Sequence, residues 1–488
     1  MRTAIATLTA AFALAGAAQA QQTDWRAAAL QDLQGMHDIL AANHPAVVVD
    51  QDSAQFRTWL AQGLAEAQAK ADQVNSANAY AYLLSWYANG FGDGLIEAEP
   101  NWQPQPRWFG VAWPEFATEW RNGQYVVSWV KPGARRTPPV GAVLQSCDGR
   151  TADEVARRRL DGWEGDLDLD GDRVLTAPYL FWDRANPFAG GLPGNCDWRV
   201  GNSRRDRSYE WTTGFATEDE RRAAYNASVF VAPQNPLGVE QWNGGYWLRM
   251  NTMSEHPDWE GFFGQVEAQR EQIRNAPFVV IDLRGAEDGQ ANFGYRLANR
   301  LWEPEFVQAN QVQNPTIVHR VTPANRQFFV ETRDRVLQDP YFVSTAPFIQ
   351  SIIDAYDAAA AAGQTTFTQP MPPAPEVAAP ANPMQGRVIV LTDAWCSGGC
   401  LDFMDLLTRL PNVQQAGQAT SASSIFIEPT RVALPTGNAW LYYGHKAWTD
   451  RPRASGQPYA PAPGLTYTGD QANEQVFRQW LQTALGAG

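Results

Sequence analysis

The residues best suited to chemistry lie in two short stretches. Residues 395–400, Trp-Cys-Ser-Gly-Gly-Cys, place a hydroxyl, two thiols and two glycines within one turn. Residues 284–289, Arg-Gly-Ala-Glu-Asp-Gly, place two adjacent carboxylates between glycines. A tight turn of small residues between a strand and a helix is where α/β enzymes present a nucleophile, or backbone N–H groups, to a ligand. The pair Gly398-Gly399 reads equally well as a device that lets a helix pack closely. Cys396 could be a nucleophile, but an oxidising compartment counts against a free thiol. Glu287 and Asp288 could form the acid–base pair of a glycosidase, yet adjacent loop residues rarely face one substrate as such pairs must.

Two elements of the same form position these residues. Residues 388–391 are a short apolar, β-branched run ending at Thr392-Asp393, and Phe403, Met404, Leu406, Leu407 and Leu410 then recur at helical spacing before Pro411. Upstream, residues 278–281 are a continuous apolar run leading into Asp282-Leu283-Arg284-Gly285, and Phe293, Leu297 and Leu301 form a helical stripe. Fully apolar runs of this length suit strands buried on both faces. Two strand–loop–helix units predict a layered α/β core with a site where the loops meet.

These stretches resemble the tail-specific, or C-terminal-processing, serine peptidases of the S41 type, including the tricorn-like and interphotoreceptor-retinoid-binding-protein-like branches. The family has an LDLRGNGGG-like strand-loop, a SAxxxF turn whose serine is the nucleophile, then GxxT and LPxG elements. Here IDLRGAEDG stands at 281–289, GGCLDF at 398–403, GQAT at 417–420 and LPTG at 434–437. The order and spacing agree over roughly half the chain. The resemblance implies a crotonase/ClpP-like ββα core at 241–488, a helical N-terminal region at 22–100 and a possible PDZ-like β module at 101–165.

The chemistry of the resemblance is not matched. Counting back from Phe403, the family's nucleophile falls on Gly398, with Ser397 one place early. The lysine of the dyad branch falls on Ser423, inside the matching GQATSAS. The family's DGHL-like element reads Asp93-Gly94-Leu95, so Leu95 stands where the tricorn-like branch has its general base. Gly285, Ala286, Glu287, Asp288, Gly289 and Gly399 take the oxyanion and cleft positions, but two family glycines have become Glu287 and Asp288. Their carboxylates would repel a developing oxyanion. Ser397 paired with one of the five histidines (His37, His44, His256, His319, His445) is the alternative that keeps hydrolysis.

The remainder of the chain adds context. Met1-Arg2, an apolar run at 4–18 and Ala18-Gln19-Ala20 describe a secretory signal peptide cleaved after Ala20, with no following cysteine for a lipid anchor. No later stretch reaches membrane-spanning length, so a periplasmic or extracellular protein without a membrane anchor is expected. Four cysteines then permit three pairings, with Cys147–Cys196 the favoured structural pair and Cys396–Cys400 a geometrically demanding local one. No His or CxxC lies at zinc-ligand spacing. Asp166, Asp168, Asp170 and Gly171 imitate an EF-hand, but Ala177 replaces the bidentate glutamate, so a solvated acidic loop is the better reading and a weak calcium site stays open.

Residues 138–158 read as strand, Asp-Gly turn and helix, the phrase behind the PDZ-like expectation; such modules bind a peptide end at a sheet edge. Residues 166–240 read as an irregular insertion, and 369–383 as a Pro/Ala-rich surface connection. The net charge of −14 argues against nucleic acid and anionic membrane surfaces as partners. Twenty tryptophans could serve aromatic binding surfaces, although scattered Trp is more often core. The expectation is therefore a protein of S41-like fold with a degenerate active site. It needs no cofactor or metal and binds a peptide, a protein C-terminus or another ligand in the old cleft. The alternative is a working serine peptidase using Ser397.

Overall fold

The computed structural model describes residues 23–102, 112–203, 206–211, 213–312, 315–340, 342–371 and 380–486. The expected signal peptide, and residues 372–379 of the Pro/Ala-rich connection, lie outside these residues.

The central sheet has the strand order Val413–Gly417, Arg387–Thr392, Phe278–Asp282, Gly245–Met250 and Leu237–Trp242. All pairs are parallel except the last, a tight hairpin through Asn243-Gly244. Its two middle strands are the apolar runs found in the sequence, and they are apolar throughout because both faces are covered. Val279, Ile281, Val388 and Val390 point to one side, into a core shared with Phe293, Leu297, Leu301, Phe403 and Leu407. Val280, Ile389 and Leu391 point to the other, against Phe477 and Leu481 of the terminal helix Glu474–Ala484.

The parallel register sets Ile281 beside Val390 and Asp282 beside Leu391, so the loops after both strands leave the same edge of the sheet. Those loops feed the helices Asn292–Trp302 and Gly399–Leu407. Gly294 lets these helices meet, since a Cβ there would lie 2.3 Å from the Phe403 ring.

The N-terminal region forms the helices Trp25–Asn43, Ala54–Lys70 and Ala77–Asn89. It does not end as a separate helical unit at residue 100. Glu97–Pro100 is a strand paired antiparallel to Ala439–Trp448, in a second sheet with Ile317–Arg320, Thr366–Thr368 and Phe426–Ala433. That sheet and the three helices bury a common core, which includes Leu33, Tyr80, Leu84, Phe426 and Leu441.

A third sheet runs through Phe116–Arg121, Gln124–Val130, Val143–Cys147, Asn195–Arg199 and Arg207–Glu210. The expected strand, turn and helix appear as Val143–Cys147, Asp148-Gly149 in the left-handed region and Ala152–Leu160 behind a Thr151/Glu154 capping box. The reading of 166–240 as irregular is corrected. It holds two strands that complete this sheet and the helix Glu218–Asn226, and Cys196 lies opposite Cys147 in register and bonded to it. These strands are short and half-exposed, so Cys196 and Trp198 alone carry their inward pattern.

Candidate functional site

The two loops that carry the sequence motifs are joined by one buried carboxylate. Asp393, at the end of its strand, accepts the Gly285 N–H at 3.0 Å on each oxygen and the Trp395 N–H at 3.0 Å. Gly285 sits at φ +72°, the left-handed region that aims its N–H across to the neighbouring loop at no side-chain cost. Burial pushes the Asp393 carboxyl up to about 7, against the opposing pull of the Gly285 N–H, Arg284 and the Trp395 N–H. Arg284 itself is fully committed. It holds Asp282 through two hydrogen bonds of 2.9 and 2.8 Å, pairs with Glu474 at 3.0 Å, and stacks over Phe477 with its guanidinium carbon 3.9 Å from the ring centre.

The turn over the helix start has the backbone shape of a nucleophile elbow with no side chain on it. Gly398 lies at φ 47°, ψ −118°, a strained combination that glycine alone adopts readily. A Cβ at this position would stand 2.5 Å from Asp288 Oδ1 and 2.8 Å from Asp288 Cα. Ser397, one place earlier, is half-buried, and its hydroxyl accepts the Asp288 N–H at 3.0 Å. The Gly399 N–H donates to the Asp288 carbonyl at 3.2 Å. The Ala286, Glu287 and Gln290 N–H groups donate to the carbonyls of Leu283, Gly285 and Met253. Gly289 is pressed so close to Met253 that a Cβ would lie 2.2 Å from its carbonyl oxygen. Two N–H groups of the loop at the expected oxyanion position are thus spent on carbonyls of the same loop, and the Asp288 backbone engages both the serine hydroxyl and the helix N-terminus.

Cys396 and Cys400 are joined in a disulfide that straddles this turn, so neither is a free thiol. Glu287 and Asp288 are largely exposed, and partial desolvation of the Glu287 carboxyl together with the neighbouring Asp288 charge raises its pKa.

Each histidine is engaged elsewhere. His44 Nδ1 accepts the Ala46 N–H, which leaves Nε2 to donate to Asp93 at 3.0 Å. The ring is buried, stacked on Phe56 with Phe426 at its edge, and burial lowers its pKa. Asp93 also accepts from Ser424 Oγ at 2.8 Å and from the Leu95 N–H at 3.0 Å. The Asp93-Gly94-Leu95 element thus ties the helical region to the core. His319 lies between Tyr356 and Gln369, His445 beside Glu428, His37 against the Tyr87 hydroxyl, and His256 on its own loop. Among the described residues, the hydrogen-bond partner of the Ser397 hydroxyl is the Asp288 N–H and no base.

The remaining motifs also serve as joints. In the GQAT element the Gln418 N–H donates to the Thr392 carbonyl, and the Thr392 hydroxyl donates back to the Gln418 carbonyl at 2.6 Å. In LPTG, the Thr436 N–H donates to Asp32 at 2.9 Å, while Pro435 sits where a side chain at Gly35 would be. At the EF-hand imitation, Asp166 caps the Asp168 N–H and Asp172 accepts the Asp166 N–H. Among the described residues no group of three or more acidic, His or Cys side chains gathers to hold a metal.

A cavity of about 870 Å³ lies between the helical region, residues 161–184 and the core. From the motif loops it takes Trp395, and with it Ser421, Ala422 and Ser423; Ser397, Gly398 and 285–289 are not in its wall. Trp395 is fixed there by its indole N–H on the Phe230 carbonyl at 3.2 Å. Asp393 and this cavity were not marked by the sequence. A lone carboxylate after an apolar strand has no pattern, and the cavity walls come from segments far apart in the chain.

No protein-family model matches the chain, and no curated protein matches it. Solved structures match in fold. The chain is similar to mature CPAF with a TM-score of 0.60 at 12% identity, covering 95% of this chain and 96% of that one. A serine-to-alanine mutant of CPAF gives 0.61 at 14% identity, over 96% and 99%. Mature CPAF complexed with lactacystin gives 0.58 at 13% identity, over 95% and 98%. Likeness at such identities establishes the fold alone. This is a mixed α/β chain with the S41-like fold that the motifs implied.

The buried carboxyl gives a pH test. The unfolded group titrates near ~3.9 and the folded one at about 7, so between these values the folded state binds the extra proton, and Asp393 weakens the fold as pH rises. Between about pH 7 and about pH 5, urea unfolding should show wild type gaining on Asp393→Asn by about 1 kcal/mol per pH unit lowered. A flat difference would place the carboxyl at its ordinary value.

Proposed function

We propose that this chain is an exported protein that keeps the S41-like fold without its hydrolytic chemistry and binds a peptide in the cavity beside the former active site. The observation that carries this reading is the bare elbow at Gly398, with Asp288 bonded to the flanking Ser397 hydroxyl and Gly399 N–H. Acyl transfer needs a nucleophile, a base to take its proton and free N–H donors aimed at the oxyanion. Glycine replaces the first, Leu95 and Ser423 stand at the family's base positions, and the Gly399 N–H is held by a carbonyl. Export is supported by the signal-like start, by two disulfides, and by the fact that no helix among the described residues is long and apolar enough to cross a membrane. Binding is supported by a cavity within the roughly 300–1,000 Å³ range of ligand sites.

The purified, oxidised protein is tested with a fluorophosphonate probe, which labels activated serines. The folded wild type should stay unlabelled. Labelling that is lost in Ser397→Ala would overturn the reading and make Ser397 an activated nucleophile. Gly398→Ser, which rebuilds the family serine, should also stay unlabelled. It should cost about 1–3 kcal/mol in urea unfolding, because a side chain is forced into a glycine conformation against Asp288.

A further inference from the structure

We infer that the helices Pro323–Val336 and Ala346–Ala361 form an acid-released arm, latched to the second sheet by the buried imidazole of His319. The two helices are bound to each other by Arg326 on Asp357 at 2.6 and 2.7 Å and by Arg333 on Gln350 at 2.7 Å. Their underside, Phe329, Ile349, Ile352, Ile353 and Tyr356, buries a cluster of its own, apart from the larger cores. Through Phe367 it rests on Thr366–Thr368, the outermost strand of that sheet. A small satellite cluster at a sheet edge opens at less cost than a central core. At the start of the first helix, Asn325 donates to the Asn43 carbonyl at 3.0 Å and accepts from the Tyr443 hydroxyl at 3.3 Å, which leaves a pivot at that end.

His319 is fully buried and meets each part of this joint. Its Nε2–H donates to Gln369 at 2.9 Å, and its Nδ1 accepts the Tyr356 hydroxyl at 3.1 Å. The ring lies flat on Phe367 with centroids 4.7 Å apart, and Phe329 stands 5.3 Å away. Both nitrogens are thus used in the neutral form. A second ring proton would displace the Tyr356 donor and set a cation in an apolar joint. Of the charged and titratable groups that face it, Lys446, opposite His319 in register, and His445 oppose a charge there, while Glu428 favours one. Glu428 is already held by Lys446 at 2.7 Å and lies 3.4 Å from His445, which packs on the same Phe329. Burial, with the Lys446 charge, holds the His319 pKa down to about 3 against its hydrogen bond to Gln369. Burial lowers His445 as well, against the pull of Glu428. A released imidazole titrates near ~6.5. Below that value the released state binds the extra proton, so acid favours release, and the latch holds fully at neutral pH.

The test is residue-resolved hydrogen exchange on the full oxidised protein, corrected for intrinsic rates, from about pH 7 to about pH 4.5. The opening equilibrium of the Phe329, Ile353 and Tyr356 amides should rise about tenfold or more per pH unit lowered below about pH 6, while Val280 and Ile389 stay protected. In His319→Gln the side chain stays neutral and can make the same two hydrogen bonds, so the slope should be smaller by about tenfold per pH unit. A dye that fluoresces on apolar surface should report the same difference, because release uncovers the underside of the arm beside the already exposed Leu337, Phe342 and Phe348. Should His319→Gln fail to fold, the ring carbon resonances of His319 in the wild type replace it, and they should show a neutral ring wherever the arm amides are protected. Opening that is flat with pH, a slope unchanged in His319→Gln, or an imidazole titrating near ~6.5 inside a protected arm would each overturn the latch. Arm and core amides losing protection together would overturn it too, since that is global acid unfolding.

Discussion

Everything at this end of the molecule depends on the Asp393 carboxylate. Two parallel strands in register deliver two loops to one edge of a sheet, and loops that side by side expose backbone N–H groups which must find partners. Asp393 supplies the partner for Gly285 from the other loop and for Trp395 from its own. The cost is a carboxylate taken out of water, visible in its raised pKa. With the loops joined there, Arg284 is locked against Asp282 and the terminal helix, Trp395 is set in the cavity wall, and the Ser397–Gly399 turn is brought under Asp288.

The turn at Gly398-Gly399 solves a packing problem. A Cβ at Gly399 would lie 2.8 Å from the Gly289 carbonyl oxygen and 2.9 Å from the Ala291 nitrogen, so the helix can start this close to the loop only on glycine. Of the two readings of Gly398-Gly399, this close approach supports helix packing. The disulfide across the turn adds a covalent brace at the same place.

Much of this was legible in the sequence because it is local. Residues 278–281 and 388–391 suited doubly covered strands, Phe293, Leu297 and Leu301 read as one helix face, and counting from Phe403 put glycine at the elbow. The illegible parts are those set by non-local geometry. Nothing around Asp393 distinguishes it from any acidic residue ending a strand. The Asp93 contacts to His44 and Ser424 join residues from three parts of the chain. Asn195–Arg199 and Arg207–Glu210 are too short and too polar on one face to announce a sheet. The acidic run at 166–172, legible only as a solvated loop, becomes a cavity wall once the helical region is folded against it.

The central claim is that Asp288 holds the Ser397 hydroxyl and the Gly399 N–H at the turn where the resemblance expects an oxyanion site. Residue-resolved amide hydrogen exchange measures this directly, because a donated N–H exchanges only when its bond opens. The account predicts that the Gly399 and Asp288 amides are protected alongside the core strand amides of Val280 and Ile389, with and without a bound peptide. Rapid exchange at both positions while those strands remain protected would contradict it, and would mean that the donors are free to face a substrate.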